Sequence, residues 1–388
     1  MSLPRTVSDD LRNARKSLGM TQQEVASALG ISRSAISLIE SGKRRVSSSE
    51  LAQLANLYHK TISELLDSEA VSTPDGFAVL FRAKEISKED RMQIAEFQDL
   101  CKRYAALEKR IYGRLLEWKV PSYKRPSPYL SYYRQRRAAE ELAIKERRRL
   151  GLGIAPIKDI FTLLEKQGVR IFNLPLSHRI SGGSTYSEEF GPCILINANH
   201  SIRRVFTATH EYFHCLVDRD IVANVCEESN YRKRQSRKES IAEYFAECFL
   251  MPRESVVESY YVYTGYGNRT DATDVVLLSR DFGVSYSAML VRLKNLNLVT
   301  NSDYVELGKA RPEKIAEGIG LPSIDLPGPL PGKYVYMATK LYLQGEISIG
   351  KLAEYLKKNV VEIQDFVENL RKCLTAKEVS VKEVFKIA

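Results

Sequence analysis

None of the six cysteines, Cys101, Cys193, Cys215, Cys226, Cys248 and Cys373, pairs with another as C-x-x-C. Thiols scattered in this way suit a reducing compartment and argue against a disulfide framework. The chain has no apolar run approaching the roughly 18 residues that span a bilayer. Its start, MSLPRTVSDDLR, lacks the apolar core of a signal peptide. The expectation is a soluble, cytoplasmic protein with no membrane partner. No repeat of solenoid period is present. An apolar share of 44% with 27% charged residues excludes a disordered or fibrous chain, and 388 residues exceed what one core usually organises. Two or three domains follow.

Charge is unevenly placed. Residues 82–150 hold 19 Lys/Arg against 10 Asp/Glu, within a net charge of +10, whereas residues 1–69 are close to balanced. A local positive field of this kind points to an anionic partner, nucleic acid first. Apolar spacing predicts a series of short helices over 7–67, a turn-rich linker at 71–76 (VSTPDG), and a long helix or a helical pair over 88–118. A basic helix over 131–150 and an amphipathic one over 156–168 follow, with prolines 121, 126 and 128 between the long and basic helices. Val169–Phe172 and Cys193–Ile196 read as strands of a small sheet. Beyond 203 the pattern is helical, and the Pro/Gly-rich stretch 318–332 marks a boundary before a last helical unit, 334–372.

Only five histidines occur, yet two of them flank a glutamate in His210-Glu211-Tyr212-Phe213-His214. On a helix, residues four apart share a face, so both imidazoles reach one metal ion while Glu211 addresses its open side. Peptide hydrolysis needs that arrangement, with Glu211 as the base that takes a proton from water and returns it to the leaving amine. A catalytic zinc takes three protein ligands. Glu239, 25 residues beyond His214 on a later helix, is the expected third, and Glu243 one turn on is placed to accept an imidazole N–H. Glu247, a further turn along, reads as structural. Zinc is the expected metal, manganese the alternative.

Residues 134–300 resemble the ImmA/IrrE (M78-like) family of bacterial metallopeptidases. The resemblance rests on Pro156–Gly168, an Ile180-Ser181-Gly182-Gly183 turn, Ile194–Asn197, the Arg204-to-His214 stretch and Glu239-x-x-Ala242-x-x-Phe245-Ala246-x-x-x-Leu250-Met251-Pro252. Asp281-Phe282-Gly283-Val284-Ser285 to Leu293 is similar to the family's helix-turn-helix-like subdomain. The resemblance implies a zincin-like fold and a repressor-type protein as substrate. Two departures stand out: Tyr212-Phe213 where the family has small or aliphatic residues, and Glu243 where it usually has Asn.

At the other end, two short helices joined by a Gly-containing turn place Arg33, Ser34, Ser37 and Leu38 against base edges in a major groove. Arg33 is the candidate for a bidentate guanine contact. Gln22, Lys43, Arg44 and Arg45 are placed for phosphates. Residues 7–67 resemble the Xre/phage-repressor family through Leu11-Arg12-x-x-Arg15, Gly19-Met20-Thr21-Gln22, Gly30-Ile31-Ser32 and Ile36-Ser37-x-Ile39-Glu40-x-Gly42. That implies double-stranded operator DNA as a partner and a homodimer on paired half-sites. Residues 104–137 interleave aromatic and basic side chains, a composition suited to single-stranded nucleic acid or to an ordinary packed helix. Leu341 to Leu356 resembles a further small helix-turn-helix, suited to a partner as much as to DNA.

The reading is therefore a mostly α protein with a small β-sheet (α+β). Its parts are an Xre-type domain of five helices (1–70), a helical linker (71–130), a zinc peptidase domain (131–265), a helix-turn-helix-like subdomain (266–317) and a C-terminal helical unit (333–388). Its function is transcriptional regulation with zinc-dependent endopeptidase activity against a repressor, under stress or phage challenge. The alternative is a non-proteolytic sensor, or a toxin–antitoxin or phage-defence component, that uses the same fold for binding.

Overall fold

In the computed structural model, the described residues are 7–58, 60, 62, 65, 86–127, 130–200, 203–218, 223–227, 237–265, 269–322 and 327–375. Four short helices open the chain: α1 (Val7–Ser17), α2 (Gln22–Leu29), α3 (Arg33–Glu40) and α4 (Ser48–Leu57). Local chemistry sets their ends. Thr21 and Glu24 form a capping box at the start of α2, Gly30 ends it in the left-handed region, and Ser32 caps α3. Leu11, Ala14, Leu18, Val25, Ile36, Ile39 and Leu54 close a small core. Most of the fifth helix expected over 61–66, and the 71–76 linker, lie outside the described residues.

The long helix α5 (Lys88–Tyr112) stops six residues short of its expected end. Gly113 adopts φ 71° there, which turns the chain out of the helix before the apolar pattern runs out. α5 also does more than link. Ala95 belongs to the N-terminal core, while Phe97, Leu100, Cys101 and Tyr104 belong to the core of the next layer. Lys88 pairs with Glu24, and Arg91 lies against Gly19, so the N-terminal domain docks on the start of α5.

After α6 (Tyr132–Arg149) and α7 (Ile160–Lys166) comes a sheet of four strands: β1 (Arg170–Leu174), β2 (Ile180–Ser187), β3 (Gly191–Asn197) and β4 (Ala223–Glu227). The order is β1-β3-β2-β4, with β1 parallel to β3 and the other pairs antiparallel. Two expectations change here. Ile180–Gly183, read as a turn, begins β2, and β4 interrupts the stretch expected to be helical beyond 203. Glycine pairs are ordinary turn signals, and only the sheet's neighbours reveal why glycine is needed at 182.

Both faces of the sheet are covered, and β1 and β3 are buried throughout. Ile171, Ile194 and Ile196 face one way, into a core with α8 (Arg204–Val217), α9 (Arg237–Leu250) and α6. That core continues into α10 (Arg253–Thr264), α11 (Ala272–Asp281), α12 (Tyr286–Asn295), α13 (Asn301–Leu307) and α14 (Pro312–Gly318). Phe172, Cys193 and Leu195 face the other way, against α5 and the C-terminal helices α15 (Gly332–Leu343), α16 (Ile349–Leu356) and α17 (Val360–Thr375). This alternation with period two is what a strand buried on both sides must show. The C-terminal unit is thus a wall of the sheet layer. Tyr334 packs on Tyr104 and Phe172 at ring separations of 5.9 and 6.3 Å.

Among the described residues, no helix is long and apolar enough to cross a membrane. The aromatic–basic stretch is divided between packing and surface: Tyr104 is buried, Trp118 meets Tyr186 edge-on and Tyr123 donates to Glu146, whereas Tyr112 is exposed. Tyr132 and Tyr133 are exposed.

Candidate metal centre and DNA-reading helix

α8 lies against β2 and β3 and is buried from Thr207 to Leu216. One turn of helix separates His210 from His214, and their Nε2 atoms stand 3.3 Å apart. Glu239, in the first turn of α9, brings Oε2 to 3.1 Å from His210 Nε2 and Oε1 to 3.9 Å from His214 Nε2. One ligand atom from each of the three residues lies within 4.8 Å of the others. The expected ligands therefore converge, although Glu239 comes from a different helix.

Glu211 sits beside them, fully buried, and neither of its carboxylate oxygens has a hydrogen-bond partner. A buried carboxylate without a donor is costly, which makes it a mark of chemistry and not of packing. Gly182 makes its position available. A Cβ at residue 182 would stand 2.7 Å from Leu195 O, 2.8 Å from Thr207 Cγ2 and 3.5 Å from Glu211 Oε1, so a side chain there would push α8 and its glutamate away from the sheet. Two imidazoles, one carboxylate and an uncommitted glutamate form a donor set suited to a divalent cation with an open position.

The imidazole partner that sequence reasoning missed is Asp218. His214 Nδ1 donates to its Oδ2 at 2.7 Å, which assigns the tautomer whose Nε2 carries the lone pair. Burial opposes the charged forms of both groups. Even so, the Asp218 hydrogen bond and the charges of Glu211 and Glu239 raise the His214 pKa, while His214 and Arg125 hold the Asp218 carboxyl below its usual range. The signal was present as a carboxylate one turn beyond His214. Glu243, half-buried, lies one turn beyond Glu239. Glu247 is structural: it accepts from Arg292 at 3.1 Å and from Asn295 at 2.9 Å, tying α9 to α12.

Of the unusual residues inside the motif, Tyr212 reaches away from the ligands toward α6, whereas Phe213 lies edge-on to the His214 ring at 5.7 Å. Tyr212 donates to the buried carboxylate of Glu146 on α6 at 2.6 Å, and Phe213 packs on Phe245.

In the N-terminal domain α3 presents Arg33, Ser34, Ser37 and Leu38 to solvent while Ile36 and Ile39 face inward. Two residues expected at phosphates are engaged within the domain. Gln22 donates to Glu40 at 3.0 Å, beside the Arg15–Glu40 pair, and Arg44 donates to Glu50 at 2.7 Å. Lys43 and Arg45 remain exposed.

The chain joins a helix-turn-helix domain to a second domain in which two histidines and a glutamate converge. Residues 11–65 match the family model described as helix-turn-helix, and residues 164–294 match the IrrE N-terminal-like domain, so the chain carries one domain of each family. No curated protein matches the chain. Similar solved structures include that of ComR from Streptococcus suis, at 11% identity and a TM-score of 0.16, covering 100% of this chain and 95% of that one. Another is PlcR of Bacillus thuringiensis in complex with the peptide PapR7 and DNA, at 11% identity and a TM-score of 0.17, covering 96% and 99%. Overlays this loose carry no argument about function.

Proposed function

We propose that this protein is a transcriptional regulator whose second domain is a zinc-dependent endopeptidase acting on a repressor-type protein. The observation that carries the reading is the convergence of His210, His214 and Glu239 beside a buried Glu211 whose oxygens are uncommitted. The two Nε2 atoms and the Glu239 carboxylate would hold zinc, or manganese. A bound ion would supply Lewis acidity for a peptide carbonyl and would lower the pKa of water. Glu211 takes the proton of the attacking water on a carboxylate oxygen and delivers it to the leaving amine. Asp218 keeps His214 in the ligating tautomer, and Glu243 is the proposed acceptor for the other imidazole.

The test begins with metal analysis. Purified protein should carry about one zinc or manganese equivalent and His214→Ala far less; equal content in both would remove the site assignment. Incubation with small repressors encoded beside this gene, and with the protein itself, then asks for a fragment that forms only when metal is present.

In the DNA-binding half, Arg33, Ser34, Ser37 and Leu38 read base edges, while Lys43 and Arg45 hold phosphates, in a homodimer on paired half-sites. Arg33→Ala should weaken binding to the preferred site by about 1–3 kcal/mol, whereas Arg45→Ala should weaken all sequences and lower the salt slope by about one unit. Footprinting across a salt series separates the two effects. The assignment of α3 fails if neither change matters.

A further inference from the structure

Between α5 and α6 the chain has no regular secondary structure over residues 114–127, yet it is closely fitted. Trp118 is seated against two glycines in the left-handed region. A Cβ on Gly168 would fall 2.8 Å from Trp118 Cα, and one on Gly191 would fall 2.8 Å from its indole ring. Lys119 N donates to Gln167 O at 2.8 Å, Val120 is buried, and Tyr123 N donates to Leu216 O at 2.7 Å, on the last turn of α8. This segment is a strap tied across the metal-binding helix.

The two unusual residues of the His210–His214 motif are where the strap is held. Tyr212 and Tyr123 both donate to the Glu146 carboxylate, at 2.6 and 2.9 Å. Phe213 lies under the Arg125 guanidinium, 5.9 Å from ring centroid to Cζ. Arg125 also pairs through Nη2 with Asp218 Oδ2, the same oxygen that accepts from His214 Nδ1. Nε and Nη1 of Arg125 are buried with no partner, so Asp218 is the hydrogen-bonding reason for this side chain's place.

We infer that the strap is a working part of the metal centre, and that Arg125 is a positioning residue which acts through Asp218 to hold the His214 ring for ligation. A carboxylate fixed by only one hydrogen bond can swing; held between a guanidinium and an imidazole, it orients the ring. The inference rests on the metal-site reading above and adds to it a residue 93 positions from Asp218, outside the 164–294 domain match.

The experiment measures zinc affinity of the full chain by competition with a chromophoric chelator, for wild type, Arg125→Gln, Arg125→Lys, Asp218→Asn and the Arg125→Gln/Asp218→Asn double variant. Arg125→Gln and Asp218→Asn should each weaken zinc binding about 10–100-fold, the usual range for an outer partner of a ligand. The double variant should be no more than about threefold weaker than Asp218→Asn, because both changes cut one path. Arg125→Lys should recover most of the loss. The visible absorption of the cobalt-loaded protein should change in Arg125→Gln and return in Arg125→Lys, a signature that a merely structural role would not move. If Arg125→Gln does not fold, Arg125→Met alone and in the Asp218→Asn background makes the same comparison, and additive losses there count against the idea. Wild type without zinc affinity overturns both readings. Wild type that binds zinc while Arg125→Gln stays within about twofold, or losses that add in the double variant, overturns this one alone.

Discussion

Glu211→Gln should leave the metal content and DNA affinity of the protein at wild-type levels and lower repressor cleavage by roughly 10²–10⁴-fold, the range that a positioned general base supplies. The structure separates these properties. Glu211 is not among the three converging ligands, and it is on α8, remote in sequence from α3. Glutamine is close to isosteric and keeps an oxygen toward the site, but its amide cannot take a proton from water. The comparison variant is His210→Ala, which dismantles the ligand set. If regulation runs through proteolysis, both variants fail to induce a reporter and the repressor stays intact on an immunoblot. Normal induction by Glu211→Gln, with no fragment in any strain, would leave a metal-dependent sensor that regulates by binding alone.

The largest stability effect should come from Glu247→Ala. Arg292 has no solvent exposure, and its guanidinium is held by Met251 O at 2.9 Å and Glu247 Oε1 at 3.1 Å. Removing the carboxylate leaves a buried cation with only the Met251 carbonyl and the weak acceptor Cys248 Sγ, at 3.5 Å, as partners, which costs about 3–5 kcal/mol. A Glu247→Leu/Arg292→Met pair, which removes both charges, should recover most of that loss, since apolar replacement of a buried pair is often close to neutral. Urea denaturation of the three proteins in chelator measures this without the metal. A loss below about 1 kcal/mol in Glu247→Ala would mean that the pair is solvated and that α9 is held by its apolar face alone.

Much of the N-terminal domain could be read directly, because its helix ends are written in neighbouring residues: Thr21 with Glu24, Ser32, and Gly30 in the left-handed region. Gln22 and Arg44 were harder. Whether a polar side chain faces DNA or its own domain depends on Glu40 and Glu50, which only the folded helices bring near. The aromatic residues of 104–137 were ambiguous for the same reason.

By itself the sequence determined the pieces whose geometry is local. Helix pitch puts His210 and His214 on one face, a carboxylate on a later helix makes Glu239 a ligand candidate, and short β-rich runs flanked by Gly and Pro mark β1 and β3 as strands. Only the tertiary structure decided the rest. It turned the Gly182-Gly183 pair from a turn into a strand packed under Glu211, made the C-terminal helices a wall of the sheet, and brought Arg125 onto Asp218, the carboxylate that holds His214. Periodicity carries information over one or two turns of chain. Which side chains meet across 93 residues of irregular and regular backbone is set by the packing of whole layers, and no local pattern encodes it.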